Sequence, residues 1–175
     1  NVSLYCRTDS GVRAELTSSA KEVFPEGTGV LRVDILTRPG TQKTDAQLSF
    51  TTKKRLGRDG RYEAEFWVRS SGDATLQAAA RLHEEPWTLL DESSEVTVPI
   101  GSDWQRVAIP FTLATDLPAE TEIRCPGLLF GHLPTGMTLW FAGAALLELE
   151  PPPLPVPLQL SHELLRNPGF EEGTQ

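Results

Sequence analysis

The sequence is short of the residues from which most enzyme and metal sites are built. It has two cysteines and three histidines among 175 residues. Cys6 and Cys125 form no CxxC, and two sulfurs cannot complete a four-ligand metal site. They are left as one disulfide or as two buried thiols. His83 and His162 each precede a glutamate, but no histidine returns at the HExxH spacing. A nucleophile elbow, a phosphate-binding loop and a dinucleotide fingerprint are all missing. With 24 acidic residues, some carboxylate pair will fall at a glycosidase separation by chance, so that count is no sign of catalysis. No apolar run approaches the roughly 20 residues of a spanning helix; the first residues do not form a signal-peptide pattern, which by itself excludes nothing. Clustered positive charge is scarce too. The net charge is −8, which disfavours nucleic acid and anionic membrane as partners. Lys53-Lys54-Arg55 is the one basic cluster and reads as a solvated strand end.

What the sequence does hold is alternation. Hydrophobic residues make up 39%, enough for a folded core, and 14 Gly with 14 Pro suit short strands joined by many turns. In residues 61–70, Tyr62, Ala64, Phe66 and Val68 fall on one side, and Arg61, Glu63, Glu65, Trp67 and Arg69 on the other. Residues 74–83 repeat the pattern, with Leu76, Ala78, Ala80 and Leu82 against Thr75, Gln77, Ala79, Arg81 and His83. Ser71-Gly72-Asp73 between them reads as a hairpin turn, which would set Trp67 beside Gln77 and Arg81. Further strands are expected at 29–36, 46–52, 104–113 and 138–149. Turn signals separate them at Pro25-Glu26-Gly27, Arg38-Pro39-Gly40, Gly57-Arg58-Asp59-Gly60, Gly101-Ser102-Asp103 and Pro134-Thr135-Gly136. Trp104 is grouped with Val107, Ile109 and Phe111 in the core. The pattern predicts an all-β chain folded as a two-sheet antiparallel β-sandwich. The domain is expected to occupy residues 1–150. Residues 151–160, opening on Pro151-Pro152-Pro153, read as an extended Pro-rich linker.

The spaced motifs Leu56-Gly57-Arg58-Asp59-Gly60-Arg61-Tyr62, Phe66-Trp67-Val68-Arg69-Ser70, Trp104 to Phe111, Leu129-Phe130-Gly131 and Gly136 to Phe141 resemble the jelly-roll carbohydrate-binding modules of families 4, 9, 16 and 22. The resemblance covers most of residues 12–150. It implies an extracellular, non-catalytic module that binds a β-linked polysaccharide of the xylan or β-glucan class and carries a tethered glycoside hydrolase to it. A ligand-free spacer of the same fold and a jelly-roll lyase or hydrolase are the competing readings. The segment Leu164 to Gly173 looks like the opening of such a module. Residues 161–175 are therefore read as the start of a following module or as a first strand supplied by permutation or by exchange between chains. Many members carry an Asp-Asp pair for structural calcium where this chain has Ala142 and Gly143. No metal is expected there, Glu171 being the one remaining candidate ligand, and no cofactor is expected at all.

Sugar recognition needs an aromatic platform for the C–H face of a pyranose and planar polar groups for its hydroxyls. Trp67 is the expected platform, with Glu65, Arg69, Gln77, Arg81, His83 and Gln47 as hydrogen-bonding partners. Trp87, after Glu85-Pro86, would line the rim, and Trp140 would be a second outward platform. The bland alternatives are that Trp67 packs beneath a loop and that Glu65 and Arg81 form a cross-strand ion pair.

Overall fold

A computed structural model describes residues 1–150. Ten strands make up the chain: β1 (Val2–Cys6), β2 (Ala14–Phe24), β3 (Gly27–Ile35), β4 (Ala46–Lys53), β5 (Arg61–Ser70), β6 (Ala74–Leu82), β7 (Glu95–Ile100), β8 (Gln105–Thr112), β9 (Glu122–Leu129) and β10 (Thr138–Leu149). They form two antiparallel five-stranded sheets, ordered β1-β4-β9-β6-β7 and β2-β3-β10-β5-β8. This is the β-sandwich that the alternation predicts and the jelly roll that the resemblance implies.

The alternating apolar residues meet between the sheets. Tyr62, Ala64, Phe66 and Val68 of β5 are fully or almost fully buried, as are Leu76, Ala78 and Ala80 of β6, and all belong to one core with Leu48, Ile109, Ile123, Leu128 and Phe141. Each large side chain so enclosed contributes about 1.5–3 kcal/mol relative to exposure. The Tyr62 hydroxyl, at the end of the core, accepts the Gly57 N–H at 2.8 Å, so its one polar atom is not stranded.

The connection 71–73 is not a hairpin. β5 and β6 lie in opposite sheets, and the segment passes from one to the other. A tight hairpin of the primed type needs a positive φ in its loop, and Gly72 is not among the glycines that have one. The apolar faces of β5 and β6 therefore face each other across the core, and their polar faces point in opposite directions.

Four strands escaped the sequence pattern: β1, β2, β7 and β9. β2 and β7 are sheet edges, and Pro99 within β7 is tolerated because an edge strand need not donate on both sides. β9 contains Pro126 and a register irregularity against both of its neighbours, which breaks the two-residue period. Cys6 and Cys125 are both free. Cys6 pairs with Ala46 at one end of β4, and Arg124, next to Cys125, pairs with Thr51 at the other. A disulfide needs Cα atoms roughly 4.4–6.8 Å apart, and the length of β4 between them rules that out. Burial pushes the Cys125 thiol up to about 12, which makes it an inert core group. The proposed linker at 151–160, the segment 161–175 and Glu171 lie outside the described residues.

Candidate functional site

The sandwich has two outer faces, and the expected binding residues are divided between them. Gln47, Gln77, Arg81 and His83 belong to the first sheet or its immediate end; Glu65, Trp67, Arg69 and Trp140 belong to the second. The core lies between the two sets.

On the second sheet the outward face is filled by its own side chains. Phe24, Val30 and Ala142 form a small buried cluster against which Trp67, Trp104 and Trp140 pack. Phe24 sits 6.4 Å from the Trp67 ring and 6.2 Å from the Trp104 ring. Trp67 is half-buried, and its Nε1 is buried without a partner. Gly143, at a β-bulge of β10 with φ 60°, leaves the room: a Cβ there would lie 3.1 Å from Phe24 and 3.2 Å from Trp67. Trp104 thus belongs to this outer cluster and not to the core with Val107, Ile109 and Phe111, from which it is an odd number of residues removed.

Arg32, Arg69 and Arg106 on this face each meet an acid, whereas the exposed Arg61 does not among the described residues. Arg69 lies between Trp104 and Trp140, 5.2 and 4.4 Å from their centroids, and reaches Glu22 at 3.3 Å. Arg32 pairs with Asp34 at 2.9 Å. Arg106 donates to Glu65 through Nε at 2.8 Å and to Glu63 at 2.9 Å. Hydrogen bonding from Arg32 holds the Asp34 carboxyl below its usual range, and bonding to Glu65 raises Arg106. The Glu65–Arg81 pair considered from sequence does not form; Arg81 bonds Glu95 at 3.2 Å.

The first sheet presents a different surface, organised in three rows across its strands. One row is Tyr5, Gln47, Leu129, Gln77 and Thr97, read across β1, β4, β9, β6 and β7. The next is Ser3, Ser49, Gly127, Ala79 and Glu95. The third is Thr51, Arg124, Arg81 and, by an isolated bridge, Leu89. Small residues occupy most of the middle row, flanked by long polar side chains. Four inter-strand spacings of about 4.8 Å make such a row roughly 19 Å long, room for several pyranose rings.

Arg124 leans across this floor. Its Cδ would lie 3.8 Å from a Cβ on Gly127. Its Nε donates to His83 Nδ1 at 3.0 Å and its Nη1 to Gln47 Oε1 at 3.1 Å, so Nδ1 of His83 is unprotonated. Burial, then the charge of Arg81, lowers the Arg124 pKa, with Glu122 opposing them. Two aromatic rings border the face. Tyr5 is 53% exposed at the β1 edge, and Trp87 is 44% exposed. The loop carrying Trp87 doubles back from His83, with Thr88 O accepting the Leu82 N–H at 2.9 Å. Trp87 itself has φ 54°, a conformation unfavourable for a bulky residue.

Tyr5, Arg124 and Glu95 are members of this face that the sequence pattern did not supply. The signal for Tyr5 was present, since Leu4 and Cys6 alternate inward around it. Arg124 and Glu95 lie on the two strands of this sheet that contain proline. Among the described residues no three His, Cys, Asp or Glu side chains gather as a cation site requires. A cleft of about 380 Å³ opens elsewhere, lined among others by Val2, Phe50, Cys125 and Leu146.

No family model matches the chain, and no curated protein does. Solved structures match well. One described as CBM4 superposes at a TM-score of 0.62 with 19% identity, over 85% of this chain and 86% of that one. The fold is the jelly roll of carbohydrate-binding modules. The N-terminal cellulose-binding domain of β-1,4-glucanase C from Cellulomonas fimi shares it at 15% identity and a TM-score of 0.55, over 78% of this chain and 90% of that one. The CBM22-1 xylan-binding domain from Paenibacillus barcinonensis does so at 9% identity and 0.52, over 84% and 90%. At these identities the likeness is one of fold, and function rests on the surfaces described above.

Proposed function

We propose that this jelly roll is a non-catalytic, extracellular polysaccharide-binding module, with its site on the outer face of the β1-β4-β9-β6-β7 sheet. The observation that carries the reading is the three-row arrangement: a floor of small residues lined by Gln47, Gln77, Arg81, Arg124 and His83 and bordered by exposed Tyr5 and Trp87. Amide and guanidinium groups suit sugar hydroxyls, which act as both donors and acceptors. An exposed ring at either end offers a stacking surface. A row that crosses five strands accepts one extended chain. The xylan- and cellulose-binding descriptions of structures with this fold support a β-linked ligand. Delivery of a linked glycoside hydrolase by effective concentration would be the biological use.

Affinity electrophoresis against xylan, mixed-linkage β-glucan, glucomannan and soluble cellulose derivatives tests the site. Neither Tyr5 nor Gln77 makes a side-chain hydrogen bond among the described residues, so replacing them leaves the fold intact. Tyr5→Ala and Gln77→Ala are each expected to weaken retardation, by about fivefold to tenfold in affinity. Retardation unchanged in both variants would remove the site from this face. No retardation of the wild type on any glycan, the acidic ones below included, would favour a ligand-free spacer.

A further inference from the structure

Resting on that reading, we infer that the glycan this face takes is acidic, and that Arg124 with Arg81 receives the carboxylate of a uronic acid unit. The two arginines are directly opposed on β9 and β6. Like charges directly across a sheet repel, and a guanidinium removed from water is ordinarily matched by a carboxylate. Arg81 has one, Glu95 at 3.2 Å, and its Nε, like that of Arg69 on the other face, is buried without a partner. Arg124 has no carboxylate within ion-pair distance among the described residues. Its hydrogen bonds run to a neutral imidazole nitrogen and a neutral amide oxygen. Those bonds fix the plane of the guanidinium over the groove floor and leave Nη2 without a partner among the described residues.

The opposite face shows what a structural arginine looks like in this protein. Arg32, Arg69 and Arg106 each meet an acid. Arg124, half-buried and without an acid among the described residues, occurs on the face with the open row. A fixed, planar, half-buried guanidinium is suited to a carboxylate, to which it donates two parallel bonds. Neutral sugar hydroxyls need no second positive charge at that depth. The chain's overall −8 charge does not oppose this, because charges more than about 8 Å away are largely screened at physiological salt. Nearer acids are Glu122, which acts on Arg124 less than Arg81 does, and Glu84 and Glu85 on the exposed loop beyond His83.

The test uses the full chain with two acidic glycans, β-1,4-linked mannuronan and glucuronoxylan, each beside its carboxyl-reduced neutral counterpart of the same linkage. Calorimetry or affinity electrophoresis is expected to show at least one acidic form binding about tenfold or more tighter than its reduced partner, as a charge-assisted contact should. That preference is expected to shrink as sodium chloride is raised. Arg124→Gln should abolish the preference, and Arg124→Lys should restore it only in part, because an ammonium lacks the planar fork. Equal binding of acidic and reduced forms would overturn the inference while leaving the module a glycan binder. A preference that survives in folded Arg124→Gln would overturn the assignment to this residue. Binding to neither form, with a neutral glycan of the earlier panel retained, would overturn the acidic reading alone; no binding to any glycan would overturn both. The comparison of native with reduced glycans on the wild type needs no variant, so a poorly folding Arg124→Gln does not block it.

Discussion

The two outer faces of this sandwich are built from similar residue types and end up as different surfaces. Both carry arginine, glutamate and aromatic side chains at alternating positions. On the β2-β3-β10-β5-β8 face, Phe24 fills the space between Trp67 and Trp104, and Arg69 is held between two indoles with Glu22 at its end. That face is packed with its own side chains, although Trp67 Nε1 and Arg69 Nε are buried without partners. On the β1-β4-β9-β6-β7 face, the middle of the sheet is Ser49, Gly127 and Ala79, and the rings stand at the borders. That face leaves a charge and a groove unmatched. The lesson is that an outward tryptophan on a strand is not a platform until the neighbouring loops and hairpins are known to leave it open.

The largest expected effect separates the faces directly. Trp67→Ala should lower stability by about 2–3 kcal/mol, somewhat below a fully buried tryptophan, because it empties the cluster around Phe24. Glycan retardation should remain. Chemical denaturation and affinity electrophoresis on the same sample check both. Lost retardation with unchanged stability would move the site to the second face. Next is Gly143→Ala, which forces a Cβ towards Phe24 and Trp67 at a positive φ. A loss of about 1–2 kcal/mol is expected, again without a change in binding; a neutral result would mean the outer cluster is looser than its contacts imply.

The smallest effect concerns acid. His132 follows β9 and bonds Thr75 O at 3.1 Å, with its Nδ1 buried and unpartnered. Burial lowers its pKa, with the Thr75 contact opposing and Lys43 adding to the fall. A depressed base is disfavoured as its cation in the folded state. Its contribution is therefore complete above its ordinary value of about 6.5 and declines as pH falls through that value towards the lower folded one. Melting temperature from pH 7 to pH 5 should fall slightly more in the wild type than in His132→Gln, and an identical pH profile would show the ring to be freely solvated.

Most core positions were legible from alternation alone. Tyr62, Phe66, Val68, Leu76, Ala78, Ile109 and Phe111 could be placed inside because a two-residue period sorts a strand into faces whatever lies beside it. The placement of 61–70 beside 74–83 failed because a short polar connection suits a hairpin and a crossing between sheets alike. Trp104 was placed in the core by an error of phase: it lies three residues before Val107, on the opposite side of a two-residue period. Arg124 was hidden because Pro126 and a bulge interrupt the only period that could have revealed its strand.

The sequence by itself determined the class of fold and the inward half of each regular strand, because those follow from local periodicity and turn chemistry. Only the tertiary structure decided which outward residues share a face, which tryptophans are covered, and which arginine lacks an acid. Those are relations between residues far apart in the chain. They depend on which strands pair, and strand order leaves no trace in the alternation of any one strand.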